Sequence, residues 1–462
     1  MEGDPASPVD EAAFASELAA LEAEALDAMA GGAVNEPLAS FSAAVPPPVQ
    51  LADVGGAAIS LARFHAEVID ACVETMASLA RERALLPARE RPRAEERILE
   101  QLDAILVTGP GCVDGLFGAW HRSVVSPDPW KVWAPVFALG CIEGGESLRA
   151  IVAILESLAP DARADGRVAA EALTLAPHAD RARFSATLTA SAHPIVRAIG
   201  VDLRARCDAL SPEELVVRLD DASASVVAAA LRAVACLPDP VPDLVGVLRR
   251  HLRSADAAVA WRAARILLLW GHDDPCVAVR GGELAELGAH TLEIFVLRGD
   301  ANDLPCMEAW LSRAQITPTV LSAIARFGHV GAWAFLVHHL ADDVLANDAA
   351  TALEVLFGDR VAATERKQPR AWRAAIGGSR FDPGVRYRRG QPWRAEVVVA
   401  EWADGALPRA EVAVRADELV ARARAGGAVE LDGWTPDPET ALTALGAAVC
   451  SKARSALTGR WS

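Results

Sequence analysis

Val226-Val227-Ala228-Ala229-Ala230-Leu231 sets an aliphatic anchor ahead of a small residue at +4 and a larger aliphatic one at +5. On a helix of 3.6 residues per turn these positions share one face. The small residue lets a second helix approach closely. The pattern recurs before it, in Val196-Arg197-Ala198-Ile199-Gly200-Val201, and after it, from Val259 through Leu267. Anchors of the same kind stand at Val132, Val168, Val196, Val226, Val259, Leu292, Val320 and Leu345, spaced by 36, 28, 30, 33, 33, 28 and 25 residues. A turn and a second amphipathic run come after each anchor helix, as at 242–252 and 333–340. One such hairpin cannot bury its own apolar face, whereas a stack can. The spacing therefore predicts an all-α chain, an α-solenoid of eight helical pairs.

Four further segments flank this array, which spans 126–358. Residues 1–50 form an acidic arm, with a helix expected over 8–29 and a Pro46-Pro47-Pro48 linker. That arm reads either as a loose segment with one helix or as a docking helix. Residues 51–125 form an N-terminal helical head. One helix is expected over 56–86, with Ile59, Phe64, Val68, Cys72 and Leu79 on one face, and another over 94–107. Residues 359–394 form a basic connector, and 395–462 a C-terminal helical cap with helices near 409–424 and 438–457. The stretch 395–402 reads equally as strand or buried helix. Ser211-Pro212-Glu213-Glu214 and Thr435-Pro436-Asp437-Pro438 carry helix-start chemistry.

The Asp/Ser-x-x-Val-x-x-x-Ala-Leu rhythm over 126–358 resembles the HEAT-like repeat superfamily in its short form. Residues 81–120, through Glu95-Glu96-Arg97-Ile98-Leu99-Glu100-Gln101-Leu102-Asp103, are similar to the head of an uncharacterised proteobacterial HEAT-repeat family. The stretch Arg386-Tyr387-Arg388-Arg389-Gly390-Gln391-Pro392 resembles the segment on the C-terminal side of the array in that family. Its members are sometimes found among type VI secretion genes. The resemblance implies a HEAT-like solenoid and carries no catalytic residue across.

The 462 residues hold 45 Lys+Arg against 62 Asp+Glu, a net charge of -17, and ten of the acids fall in 1–62, which has no base. Duplex affinity comes largely from phosphate neutralisation, so this balance disfavours a nucleic-acid partner. Hydrophobic residues at 52% exclude an intrinsically disordered chain. Met1-Glu2-Gly3-Asp4-Pro5 has no basic or apolar leader, and no apolar run of membrane-spanning length occurs, so no membrane is expected and the protein reads as cytoplasmic. The eight cysteines form no CxxC pair and read as buried free thiols.

No catalytic residue, cofactor site or metal site emerges. His338 and Asp342 share a helix face but lack a third ligand. The repeated His-Glu dipeptides of HEAT-like iron hydroxylases are missing from the sequence. Gly109-Pro110-Gly111 lacks the Lys-Ser/Thr of a phosphate loop and reads as a turn. The remaining feature is the basic island 360–394, with ten Arg or Lys, two acids and interleaved aromatics. It reads as a solvated connector, a protein contact or a single-strand grip. Arg373, Arg380, Arg386, Tyr387, Arg388, Arg389 and Trp393 are its candidate partner contacts. The expected function is a non-catalytic protein-binding scaffold or adaptor that uses the solenoid surface, linked through the family resemblance to a bacterial secretion system. The alternative is a HEAT-like enzyme of lyase or base-repair type.

Overall fold

The computed structural model describes residues 61–456, apart from 124–127, 208–209, 404, 406, 424–427, 430, 432 and 434–436. The acidic arm and its expected helix at 8–29 lie outside the described residues, as does the expected helix start at Thr435-Pro436. Everything described belongs to one compact unit beginning at Ile59.

Among the described residues, twenty-two α-helices account for nearly all of this unit. Helices α1 (Leu61–Leu85) and α2 (Arg91–Val107) form a hairpin, and α3 (Cys112–Ser123) comes after a turn at Gly109, whose φ is +86°. The repeated part comprises α4 (Trp130–Gly140), α5 (Gly145–Glu156), α6 (Arg163–Leu175), α7 (Arg181–Thr189), α8 (Pro194–Arg206) and α9 (Pro212–Leu219). It continues with α10 (Ala224–Ala235), α11 (Pro242–His251), α12 (Ala257–Leu269), α13 (Asp274–Arg280), α14 (His290–Arg298) and α15 (Leu304–Leu311). It closes with α16 (Pro318–Phe327), α17 (Trp333–His338) and α18 (Ala346–Phe357). Then come α19 (Pro369–Gly377), an antiparallel hairpin of β1 (Tyr387–Arg388) and β2 (Gln391–Pro392), α20 (Ala395–Trp402), α21 (Arg409–Ala423) and α22 (Asp437–Ala456).

Helices α1, α4, α6, α8, α10, α12, α14, α16 and α18 pack each against the next in one continuous row. All eight anchors fall on this row. Six are the third residue of their helix, Val168 is the sixth of α6, and Leu345 caps α18. All eight are buried. The intervening helices pack on the row helices as a second layer, α7 on α8, α9 on α10, α11 on α12 and α17 on α18. The small residue at +4 does the work expected of it at Gly200. A Cβ there would lie 2.3 Å from the Thr189 backbone nitrogen and 2.7 Å from the Leu188 carbonyl carbon, so α8 crosses the end of α7 at backbone contact.

Local chemistry sets the boundaries. The capping box is present, with Ser211 Oγ accepting from Glu214 N at 3.3 Å and Glu214 Oε2 accepting from Ser211 N at 3.0 Å. The ambiguous stretch 395–402 is helix, because Ala395, Val398 and Trp402 are buried at the 3.6-residue period. On α1, Cys72 and Leu79 are buried as expected, but Phe64 is 53% exposed. A helix rises about 1.5 Å per residue, so the shorter α2 cannot cover the first turns of α1.

The last two segments exchange their expected roles. The connector closes the end of the row: Tyr387 N donates to Gly328 O, Arg389 N to Val355 O and Gly390 N to Leu356 O, and Trp372 is fully buried. Residues 395–456 do not extend the stack as a cap. They return along it, with α21 packed on α12 and α14 and reaching α1, and Ala428 N donating to Ala235 O of α10.

Gly200→Ala should lower stability by about 1–3 kcal/mol, because the new methyl meets backbone that must move. Gly246→Ala, inside α11 with no atom within 4 Å of the added Cβ, should raise it by up to about 1 kcal/mol. Urea denaturation of the two variants checks both signs.

Candidate functional site

The anchors point into the stack, and the position six residues further on lies on another face of the same helix. Thr174, Asp202, Arg232, Arg265, Arg298 and Arg326 occupy it from α6 to α16. These side chains meet one another and the returning segment. Arg265 grips Asp417 of α21 with two bonds of 2.5 and 2.6 Å, and Arg232 grips Asp202 of α8 at 3.0 and 2.5 Å. Arg298 holds Asp273 at 3.1 and 2.8 Å and donates its other nitrogen to Ala421 O at 3.2 Å. Arg326 donates to buried Glu293. From the other side, Arg422 donates to Val296 O of α14 and Arg409 to Glu171 of α6. Arg83 of α1 draws together Glu95 at 2.8 Å, Glu171 at 3.2 Å and Gly433 O at 2.6 Å. Two-pronged guanidinium–carboxylate pairs fix orientation as well as distance, so they set the register of the return.

A second knot fastens the connector to the return. Arg388 on β1 is fully buried and forks Glu401 of α20 at 2.7 Å on both prongs. Arg415 of α21 takes the same carboxylate at 2.7 Å. Trp393 Nε1 donates to Glu418 at 2.7 Å, while Arg388 Nη1 faces Glu418 Oε2 at 3.8 Å, too long for a hydrogen bond. Arg386 donates to the carbonyls of Val296 and Gly299, at 3.3 and 2.9 Å, and its guanidinium lies 5.1 Å from the Phe327 ring centre. Burial pulls Arg386 down to about 9, which leaves it charged at neutral pH. Burial also lowers Arg388, but Glu401 and Glu418 outweigh it and hold the group above its ordinary value. Burial would raise Glu401; Arg388 and Arg415 outweigh that and hold its carboxyl below the usual range.

Of the seven candidate contacts, Arg386, Tyr387, Arg388 and Trp393 are buried and unavailable to a partner. The reason is the hairpin. Arg389-Gly390 both take positive φ, 50° and 72°, as a tight two-residue loop demands, and this turns the flanking side chains inward. Arg389 stays outside, paired with Asp359 at 3.0 Å, and Arg373 and Arg380 are exposed. The connector's inward charge is thus met by Glu401 and Glu418, 13 and 25 residues beyond Arg388 and Trp393 respectively. Asp342 accepts from Val344 N and Leu345 N at the entry to α18. Among the described residues no group of three or more His, Cys, Asp or Glu is placed to hold a metal, and no single helix is long and apolar enough to cross a membrane. Sequence reading passed over the +6 ladder. Its signal was present, since arginine recurs there in four consecutive repeats at 232, 265, 298 and 326. Comparison with protein-family models, with curated proteins and with solved structures finds no match.

Arg388→Gln removes both prongs from buried Glu401, leaving it to Arg415 alone, and takes away the charge facing Glu418; it should cost about 3–5 kcal/mol, whereas Arg373→Gln should stay within about 0.5 kcal/mol. Chemical denaturation separates the two. The depressed Glu401 gives stability that is present above its unfolded value of about 4.3 and lost as pH falls through the lower folded value. Stability measured from about pH 6 down to pH 3 should therefore fall, and fall less steeply in Glu401→Gln.

Proposed function

We propose that the chain is a non-catalytic protein-binding scaffold built on a HEAT-like α-solenoid, and that its head receives the partner. The anchor periodicity and the continuous row of helices support the solenoid reading. One observation carries the binding reading: large apolar side chains stand exposed at the open end of the α1–α2 hairpin. Leu61 is 68% exposed, Phe64 53% and Val107 86%, and Leu106 is exposed next to Val107 in the chain. α2 runs back about 25 Å along the longer α1, so Leu106 and Val107 end near where the uncovered first turns of α1 begin. Exposed apolar residues gathered in this way mark interaction surfaces. The flank of the row that carries the arginine ladder is covered by residues 395–456, so the partner meets the head instead of that flank. The resemblance to a family found among type VI secretion genes makes secretion-system proteins the first partners to try.

The double variant Phe64→Glu, Val107→Glu should fold normally, because both side chains already face solvent. It should bind the partner at least tenfold more weakly, since central apolar contacts carry most interface energy. Affinity purification from the native host, quantified against wild type, reads the difference. Equal recovery of the same partner by wild type and variant would overturn the head assignment.

A further inference from the structure

We propose that the hollow between the arginine ladder and the returning helices binds a small phosphate-bearing anion. The hollow is about 690 Å³, within the usual size of a ligand pocket. A smaller one of about 120 Å³ adjoins it, and Arg167, Asp202 and Arg232 line both. Guanidinium groups enter the larger hollow from separate helices: Arg167 from α6, Arg206 from α8, Arg232 from α10, Arg265 from α12 and Arg409 from α21. Asp202 is the one carboxylate among the described lining residues, and it is taken up by Arg232. Asp417 and Glu171 reach Arg265 and Arg409 from outside the wall.

Two arginines at these hollows have no carboxylate hydrogen-bonded to them among the described residues. Arg167 makes no hydrogen bond or ion pair among the described residues, and Arg262, in the adjoining hollow, donates only to Ala258 O of its own helix at 3.2 Å. Burial, together with crowding from Arg232 and Arg167, draws Arg262 down to about 10. Arg167 is exposed and Arg262 half-buried, so both guanidiniums can be reached by an anion entering from solvent, to which neither is closed by a carboxylate hydrogen bond. The guanidinium fork matches phosphate oxygens, and charge arriving from several helices suits a group with more than one negative charge. The rest of the wall is mostly alanine, such as Ala233 and Ala410, whose methyl groups leave room for an apolar body and compete for no hydrogen bond.

The test uses the full chain. Pyrophosphate and ATP are titrated calorimetrically, with citrate as a carboxylate control and sodium chloride matched for ionic strength. Saturable binding of either phosphate compound is expected, with weaker binding of citrate. Arg167→Gln with Arg262→Gln should weaken that binding at least tenfold while the melting temperature of the free protein holds, because neither side chain supports a carboxylate. Arg262→Lys, which keeps the charge, should retain more affinity than Arg262→Gln, a difference that a folding defect would not produce. No saturable phosphate binding, citrate bound as tightly as pyrophosphate, or unchanged affinity in the double variant would each overturn the proposal.

Discussion

Arg265 and Asp417 stand 152 residues apart in the chain and meet through two short hydrogen bonds, and the arrangement of the described helices depends on pairs of this kind. A row of stacked helices has two long flanks. Second-layer helices cover one with aliphatic side chains. The other carries arginine in four successive repeats, and a guanidinium drawn out of water needs a carboxylate or carbonyl in reach. For two of the four the C-terminal helices supply it, Asp417 for Arg265 and the carbonyl of Ala421 for Arg298, while Arg232 and Arg326 pair with Asp202 and Glu293 of the row. Apolar contacts alone would permit these helices to slide, whereas forked pairs do not.

The row itself was legible in the sequence, and for a physical reason. Helix-on-helix packing is local, repeats every 25 to 36 residues, and writes itself into spacing. Each anchor from Val132 to Leu345 falls on a row helix or its cap, seven of the eight at the start, and the small residue at +4 appears as the close approach at Gly200. The ends of α11 were also within a residue of expectation, with Pro242 marking its start, whereas 395–402 had read equally as strand or helix. What escaped was non-local. The basic island looked like a surface because composition counts charges without direction. Only the tight turn at Arg389-Gly390, together with the distant carbonyls of Val296 and Gly299 and the carboxylate of Glu401, explains why Arg386 and Arg388 point inward. The +6 arginines were visible as letters, but their meaning depended on a segment that no local pattern tied to them.

This changes where function is to be sought. A helical array that leaves its inner flank open would present that flank to a partner. Here residues 395–456 lie along the flank from α14 back to α1, so the surfaces left for another macromolecule are the exposed apolar end of the head and the outer layer. Beside the same return, arginines from five helices converge on one hollow, a geometry that suits the small anion proposed above better than a flat protein contact. The two readings rest on separate residues and stand or fall separately.

If specific charge pairs fasten the C-terminal helices along the row, a double-mutant cycle on Arg265→Asp and Asp417→Arg should reveal it. Each single change should destabilise the protein by placing like charges in contact, and the double variant should recover stability, with a coupling energy of at least about 1 kcal/mol. Strictly additive effects, with coupling near zero, would mean that α12 and α21 do not meet as described and would contradict this arrangement.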